Sequence, residues 1–471
     1  MNKKTMSRRL LSICFATLIP TSALAAEPQG TLDERLAPPP GGGLTADQVA
    51  SRAQETSFDA AARREAIVSA EAKLEQARAA YYPRLTLTAR YTHLSPVNQV
   101  LPLGGSMMGG GSSNVTLPVV YDQIFTQAGL TIPITDYVLR VSQSYASASR
   151  NRRAAVLDEQ ATRLKAALDG RQAYYGWLRA RAQVIVAERS LEQARGHLVD
   201  AHHAFDVGTT SKADVLRVES QVAAAELVLE QSRNLAVLME EQIRTAMHDP
   251  SKQPYAVGED LRADQPLSAA QDVTSLEAEA IDRRLELRAL DETAWSLREQ
   301  AKSTRAGNYP RLDLFGDVIF ANPNPRYFIQ DNTFKTTWDV GVQLIWSPND
   351  ILTTGPQSQD TEARANQIEL QKAGLRDSVK LQVLQAYQAL KEAEVAVQTA
   401  KRGLAAAEEG YRVRRELFRN GRATTVELLD SQGDLTREST NSINARANLL
   451  FAKANLLHAI GRDVPQSVAA R

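Results

Sequence analysis

Thiols are nearly absent from this chain: its one cysteine, Cys14, lies in an apolar N-terminal run. That run has the layout of a secretory signal peptide, with Lys3, Lys4, Arg8 and Arg9, then apolar residues to about Leu18, then Ala23-Leu24-Ala25 as a cleavage site. Residues 1–25 are therefore expected to be removed, leaving a mature chain that starts near Ala26 with neither thiol nor disulfide. Ile13 stands before Cys14 where a lipoprotein signal requires a small residue, so no lipid anchor is expected. Histidine is also scarce. None of His93, His197, His202, His203, His248 and His458 forms the i, i+4 pair with a carboxylate of a helical metal site, and the group near 200 reads as solvated surface. No metal or cofactor is expected.

Charge of one sign is missing too. The 55 basic and 55 acidic residues balance, and losing four basic ones with the signal gives 51 − 55 = −4, which argues against a nucleic-acid partner. Beyond the signal there is no apolar run of the roughly 18 residues that a membrane-crossing helix needs. The glycines of 104–111 lack the Lys and the strand-helix setting of a phosphate loop. Together these gaps leave an enzyme without support.

What is present is a pattern written twice. Gln172-Ala173-Tyr174 returns as Gln385-Ala386-Tyr387, and Phe205 and Gly208 with Asp214 return as Phe418 and Gly421 with Glu427, all 213 apart (421 − 208 = 213). Trp177, Val184, Leu191, Leu198 and Phe205 follow one another at seven-residue steps, as do Leu390, Val397, Leu404, Tyr411 and Phe418. Alanines at 173, 180, 187 and 194, and at 386, 393, 400 and 407, form a second seam. Large residues on one seam and Ala on the other specify long helices in close coiled-coil contact. Helices over about 137–204 and 212–247, and over 357–417 and 424–460, make two hairpins that turn at Gly208 and Gly421, with Ser211 and Thr424 as N-caps.

Period two replaces period 3.5 elsewhere. After each Tyr-Pro-Arg-Leu element, at 82–85 and 309–312, and again further on, strands are expected at about 84–94, 124–135, 311–320 and 337–347. Each is apolar on one face and mainly polar on the other. Trp338 and Trp346 share a face eight residues apart, roughly 26 Å at about 3.3 Å per residue, close to the roughly 25 Å band between aromatic girdles. With Tyr91 and Phe320 they are the girdle candidates. Long loops at about 94–123 and 321–336 suit the outer end of a membrane barrel. Four strands close no barrel, so the protomer has to oligomerise.

In this order of elements, in the Phe-x-x-Gly turns with Asp214 and Glu427, and in Arg284-Leu-Glu-Leu-Arg288, the chain resembles the TolC family of outer-membrane efflux proteins. The resemblance covers residues 44 to about 461. It implies a mainly α fold with a membrane β-barrel contribution: a homotrimer with a 12-stranded barrel in outer-membrane lipid, continued by a 12-helix tunnel through the periplasm. It implies a passive exit duct for efflux or type I secretion, with a periplasmic adaptor and an inner-membrane transporter as partners. The domain plan is a leader at 26–43, repeats at 44–248 and 272–462, a connection at 249–271, and a tail from 463. A soluble periplasmic coiled-coil adaptor is the alternative.

The resemblance places an acidic pair of the periplasmic constriction at Glu427 and Asp430, and Asp434 lies on the same helical face by i, i+3, i+7 spacing. At the family's gating Tyr and Arg positions stand Phe418 and Ala423, so Arg422 or Arg217 is the candidate replacement tie to Asp214 or Glu427. The tip turns Val207-Gly208-Thr209 and Asn420-Gly421-Arg422 are the expected adaptor-docking surface. The sequence names no cargo.

Overall fold

A computed structural model describes residues 42–96, 100–103, 113–116, 119–261 and 272–463. The expected signal peptide, almost all of the leader, the Gly-rich stretch after Leu103 and nearly all of the tail lie outside these residues. Helices dominate: α1 (Ala46–Thr56), α2 (Phe58–Ala79), α3 (Ser142–Asp206), α4 (Lys212–Ala246), α5 (Val273–Arg283), α6 (Leu285–Arg305), α7 (Ile351–Arg419) and α8 (Thr425–Ala459). The strands are β1 (Arg84–His93), β2 (Val100–Leu103), β3 (Ser113–Thr116), β4 (Asp122–Pro133), β5 (Arg311–Asn322) and β6 (Lys335–Ile345). Among the described residues no helix is long and apolar enough to cross a membrane.

Helices α3 and α4 form one antiparallel hairpin and α7 and α8 the other, joined along the α3–α8 contact. The Ala seam works as the sequence suggests. Ala187 and Ala194 are buried beside Leu191, Ala225 and Leu229 in the first hairpin, and Ala393 lies beside Leu390, Leu449 and Ala452 in the second. Midway along, Tyr174 and Trp177 are completely buried with Val49 of α1, Ile243 of α4 and Ile443 of α8. The Tyr174 hydroxyl donates to the Leu44 carbonyl at 2.7 Å, and Leu44 forms a parallel bridge with Val257. A Cβ on Gly43 or Gly258 would lie 2.4 or 2.3 Å from the opposing backbone, so only glycine allows this close approach. The connection between the halves is thereby tied to the start of the first.

Two features go beyond the sequence reading. The segments before β1 and β5 are helix pairs, broken at Ser57 and Arg284. Ser57 leaves helical geometry to cap α2, its hydroxyl accepting from the Ala60 amide; Arg284 is extended and buried, donating to the Ala459 carbonyl and Glu286. The long loop between β1 and β4 is also not wholly irregular, because β2 and β3 pair within it. The remaining strands form one antiparallel sheet in the order β1-β4-β5-β6, with bounds within two residues of expectation.

Candidate functional site: the helical tips and the four-stranded sheet

At the first tip α3 ends in a Schellman-type turn: Gly208 has φ +75°, and the Thr209 amide reaches back to the Ala204 carbonyl at 2.9 Å. The second tip repeats it, with Gly421 at φ +67° and the Arg422 amide on the Leu417 carbonyl at 2.8 Å. Each following helix opens with a capping box. Ser211 and Asp214 exchange backbone and side-chain bonds at 3.2 and 3.4 Å, and Thr424 and Glu427 do so at 3.3 and 2.9 Å.

These caps decide how the acidic residues are engaged within one protomer. Asp214 is held by Ser211, whose hydroxyl donates to it at 2.6 Å, and is not paired with Arg217 or Arg422. Glu427 has a cationic partner, Arg414 of α7 at 3.1 Å. The sequence reading missed Arg414: a separation of 13 residues gives no helical spacing signal, whereas the hairpin brings the two face to face. The Thr424 amide, then Arg414, hold the Glu427 carboxyl below the usual carboxylate range. Asp434 pairs with Arg437 at 2.5 Å, and Asp430 is exposed. Among the described residues Asp430, Arg217 and Arg422 make no side-chain ion pair. Phe418 packs against the buried cluster of Tyr411, Leu428 and Leu435.

His197 departs from the expectation of solvated surface. Its Nε2 lies 3.0 Å from the Tyr411 hydroxyl in the α3–α7 seam, and both residues are buried. His202 and His203 are exposed as expected. Among the described residues no group of three or more His, Asp or Glu is placed to hold a metal.

The sheet register sorts its residues by face. Leu85, Leu87 and Tyr91 of β1 align with Leu130, Ala128 and Ile124 of β4, which align with Gly316, Val318 and Asn322 of β5; Leu312, Leu314 and Val318 align with Leu344, Val342 and Trp338 of β6. Leu87, Trp338, Val340 and Leu344 are each about two-thirds exposed or more. The opposite face carries Thr86, Thr88, Arg90, Gln127, Asp313, Asp317, Thr337, Asp339 and Gln343. Tyr91, Phe320 and Trp338 lie near the loop end, and Trp346 near the helical end, where its indole donates to the Asn308 carbonyl at 3.3 Å. An apolar surface this continuous on a sheet of 10–12-residue strands is what lipid contact requires.

The fold and this sheet define a protein of long helical hairpins joined to a four-stranded antiparallel sheet with one apolar, exposed face. The sequence profile of the outer membrane efflux protein family matches residues 49–247 and 276–462, and the chain belongs to that family. No curated protein sequence matches significantly. Among solved structures the fold is similar to CusC, described in terms of folding and transmembrane channel formation (TM-score 0.74, 14% identity, 88% of this chain and 92% of that one). It is similar to the open state of the Neisseria gonorrhoeae MtrE outer membrane channel (0.70, 16%, 89% and 89%) and to the outer membrane protein VceC from Vibrio cholerae (0.68, 15%, 88% and 96%). The protein is thus an outer-membrane efflux protein. The adaptor alternative has no support in these matches.

Proposed function

We propose that the protein is the outer-membrane exit duct of a tripartite efflux or type I secretion system, a homotrimer in which three four-stranded sheets close a 12-stranded barrel above a tunnel of α-hairpins. The observation that carries this reading is the sheet with a lipid-compatible face and two open edges. Edge strands β1 and β6 run antiparallel to each other in the order β1-β4-β5-β6. Identical copies can therefore continue the antiparallel ladder, β6 of one to β1 of the next, until the ring shuts. An unpaired edge in lipid leaves each backbone group costing several kcal/mol.

The element spacing supports an internal duplication behind this architecture. β1 and β5 start 227 residues apart (311 − 84 = 227), whereas β4 and β6 start 213 apart (335 − 122 = 213), as do α4 and α8 (425 − 212 = 213). The first half therefore carries 14 extra residues (227 − 213 = 14) between its barrel strands, where β2 and β3 lie. Insertions there leave barrel and tunnel unchanged.

At the periplasmic tips, Glu427, Asp430 and Asp434 from three copies stack as acidic rings that select for cations, with Arg414 tempering the first of them. Asp214, Arg217, Arg422 and Phe418 line the same closure. The exposed turns Val207-Gly208-Thr209 and Asn420-Gly421-Arg422 receive the adaptor, which opens the tip on behalf of an inner-membrane transporter. The testing experiment is native mass in mild detergent after membrane separation. A threefold protomer mass from the outer membrane is expected; a monomer from the soluble periplasm removes the barrel.

A further inference from the structure

The segment between β5 and β6, residues 323–334, is anchored back onto the sheet through its first residues. Asn324 is 1% exposed, and its amide donates to the Lys335 carbonyl at 2.9 Å and to the Thr337 hydroxyl at 3.2 Å. Arg326 donates to the Trp338 carbonyl at 3.1 Å and forms an ion pair with Asp339. Lys335 closes the base of the segment, 2.7 Å from Asp331 and 4.3 Å from the Tyr327 ring centroid. Thr337 and Asp339 belong to the polar face of β6, so Asn324 and Arg326 carry the first part of the segment over the face that the barrel turns inward, while Phe334 at its end stacks on Phe320 of the apolar face.

Charge explains the fold-back. Asp339 stands directly opposite Asp317 on β5, and like charges so paired repel. Gly129 faces Asp317 on the other side, where a Cβ would lie 2.5 Å from the Asp317 carboxylate, leaving no room for a cationic side chain from β4. The Arg326 guanidinium supplies the missing positive charge from above.

We propose that residues 323–334 form a strap across the outer mouth of the barrel, latched by Arg326 on Asp339, which restricts by size what passes the exit end. The strap is a second constriction, at the far end of the duct from the helical tips. This inference rests on the barrel reading, and its test separates the two.

The chain's only cysteine is Cys14, in the expected signal, so single cysteines can be placed freely. Gln343→Cys puts a thiol on the polar face four residues deeper than Asp339, and Leu344→Cys puts one on the apolar face. A bulky, membrane-impermeant maleimide is added outside intact cells. Gln343→Cys should react slowly in the otherwise native protein and at least severalfold faster when combined with Asp339→Asn or Arg326→Ala. A rate unchanged by both latch substitutions overturns the strap. Leu344→Cys reacting as fast as Gln343→Cys in every background removes the barrel instead. Should the latch variants fail to assemble, Arg326→Cys with Asp339→Cys locks the strap by oxidation, and Thr131→Cys serves as the reporter thiol. Labelling of Thr131→Cys that does not rise on reduction then overturns the latch.

Discussion

His197 of α3 and Tyr411 of α7 meet across the seam between the two hairpins, joined at 3.0 Å with ring centroids 5.9 Å apart. Each is less than a tenth exposed. Burial pushes the His197 pKa down, opposed by Asp200 on its own helix and reinforced by Arg415 and Arg419 on α7. The leucines of α8 packed around Tyr411 add no compensating charge. The neutral imidazole is therefore the form that this seam stabilises.

Since the folded pKa lies below the ordinary 6.5, the unfolded state binds more protons in the window beneath 6.5, and stability rises with pH there. The contribution is complete above about 6.5 and is lost as pH falls toward the folded value. Amides of 190–206 and 405–419 should exchange faster at pH 5.5 than at pH 7.5 once intrinsic rates are removed. His197→Gln should flatten that dependence. Equal pH dependence in both proteins would show that another group controls the seam.

A second prediction concerns Arg414 and Glu427, 3.1 Å apart across the second tip. Both are substantially exposed, so the pair adds little stability; under the proposed tip constriction its effect is on the field there. Arg414→Ala withdraws one guanidinium group from each protomer and should raise cation preference; Glu427→Gln should lower it; Arg414→Lys should resemble the native protein. Reversal potentials across a salt gradient in planar bilayers read this directly. Because the Glu427 carboxyl sits below the usual carboxylate range, the preference should persist at pH 5. Identical reversal potentials in all variants would place the constriction elsewhere.

The tip turns separate folding from docking. Gly208 and Gly421 adopt positive φ, yet nothing lies within 4 Å of a Cβ added to either. Ala at either site should cost only the left-handed conformation, about 1–2 kcal/mol, and Asn less. Val207 is 75% exposed, so Val207→Asp should leave thermal stability within about 0.5 kcal/mol. If this turn receives the adaptor, Val207→Asp should nonetheless abolish adaptor capture in pull-downs. Full capture would remove the turn from the docking surface.

How much of this was legible in the sequence depended on whether one residue's neighbours were near in the chain. The seam from Trp177 to Phe205 and the alternation in Arg84–Tyr91 were readable because each element repeats a single environment at a fixed period. Gly208 and Gly421 were readable because positive φ favours one residue type. The breaks at Ser57 and Arg284 carried neither Gly nor Pro. The capping roles of Asp214 and Glu427 were present as a Ser/Thr-x-x-acid pattern, but a charge near a tip reads equally well as a gate. Arg414 with Glu427 and His197 with Tyr411 needed the packing of separate helices before either pair existed.

The last prediction tests which face of the sheet meets lipid. Val340 lies on the apolar face of β6 opposite Gly316, and Thr86 lies on the polar face of β1 opposite Gly129. An Arg near the bilayer midplane on a lipid-facing barrel position costs about 2–4 kcal/mol, whereas a lumen position keeps its water. Val340→Arg should therefore lower the denaturant midpoint of the bilayer-embedded protein strongly, and Thr86→Arg should leave it close to the native value. Register makes this a sharp test, because in a strand a shift of one residue exchanges every inward side chain for an outward one. If Thr86→Arg is the costly variant, the sheet is inside out relative to the barrel described here. If both are tolerated, the apolar face is not in lipid, and Trp338 and Trp346 mark no membrane boundary.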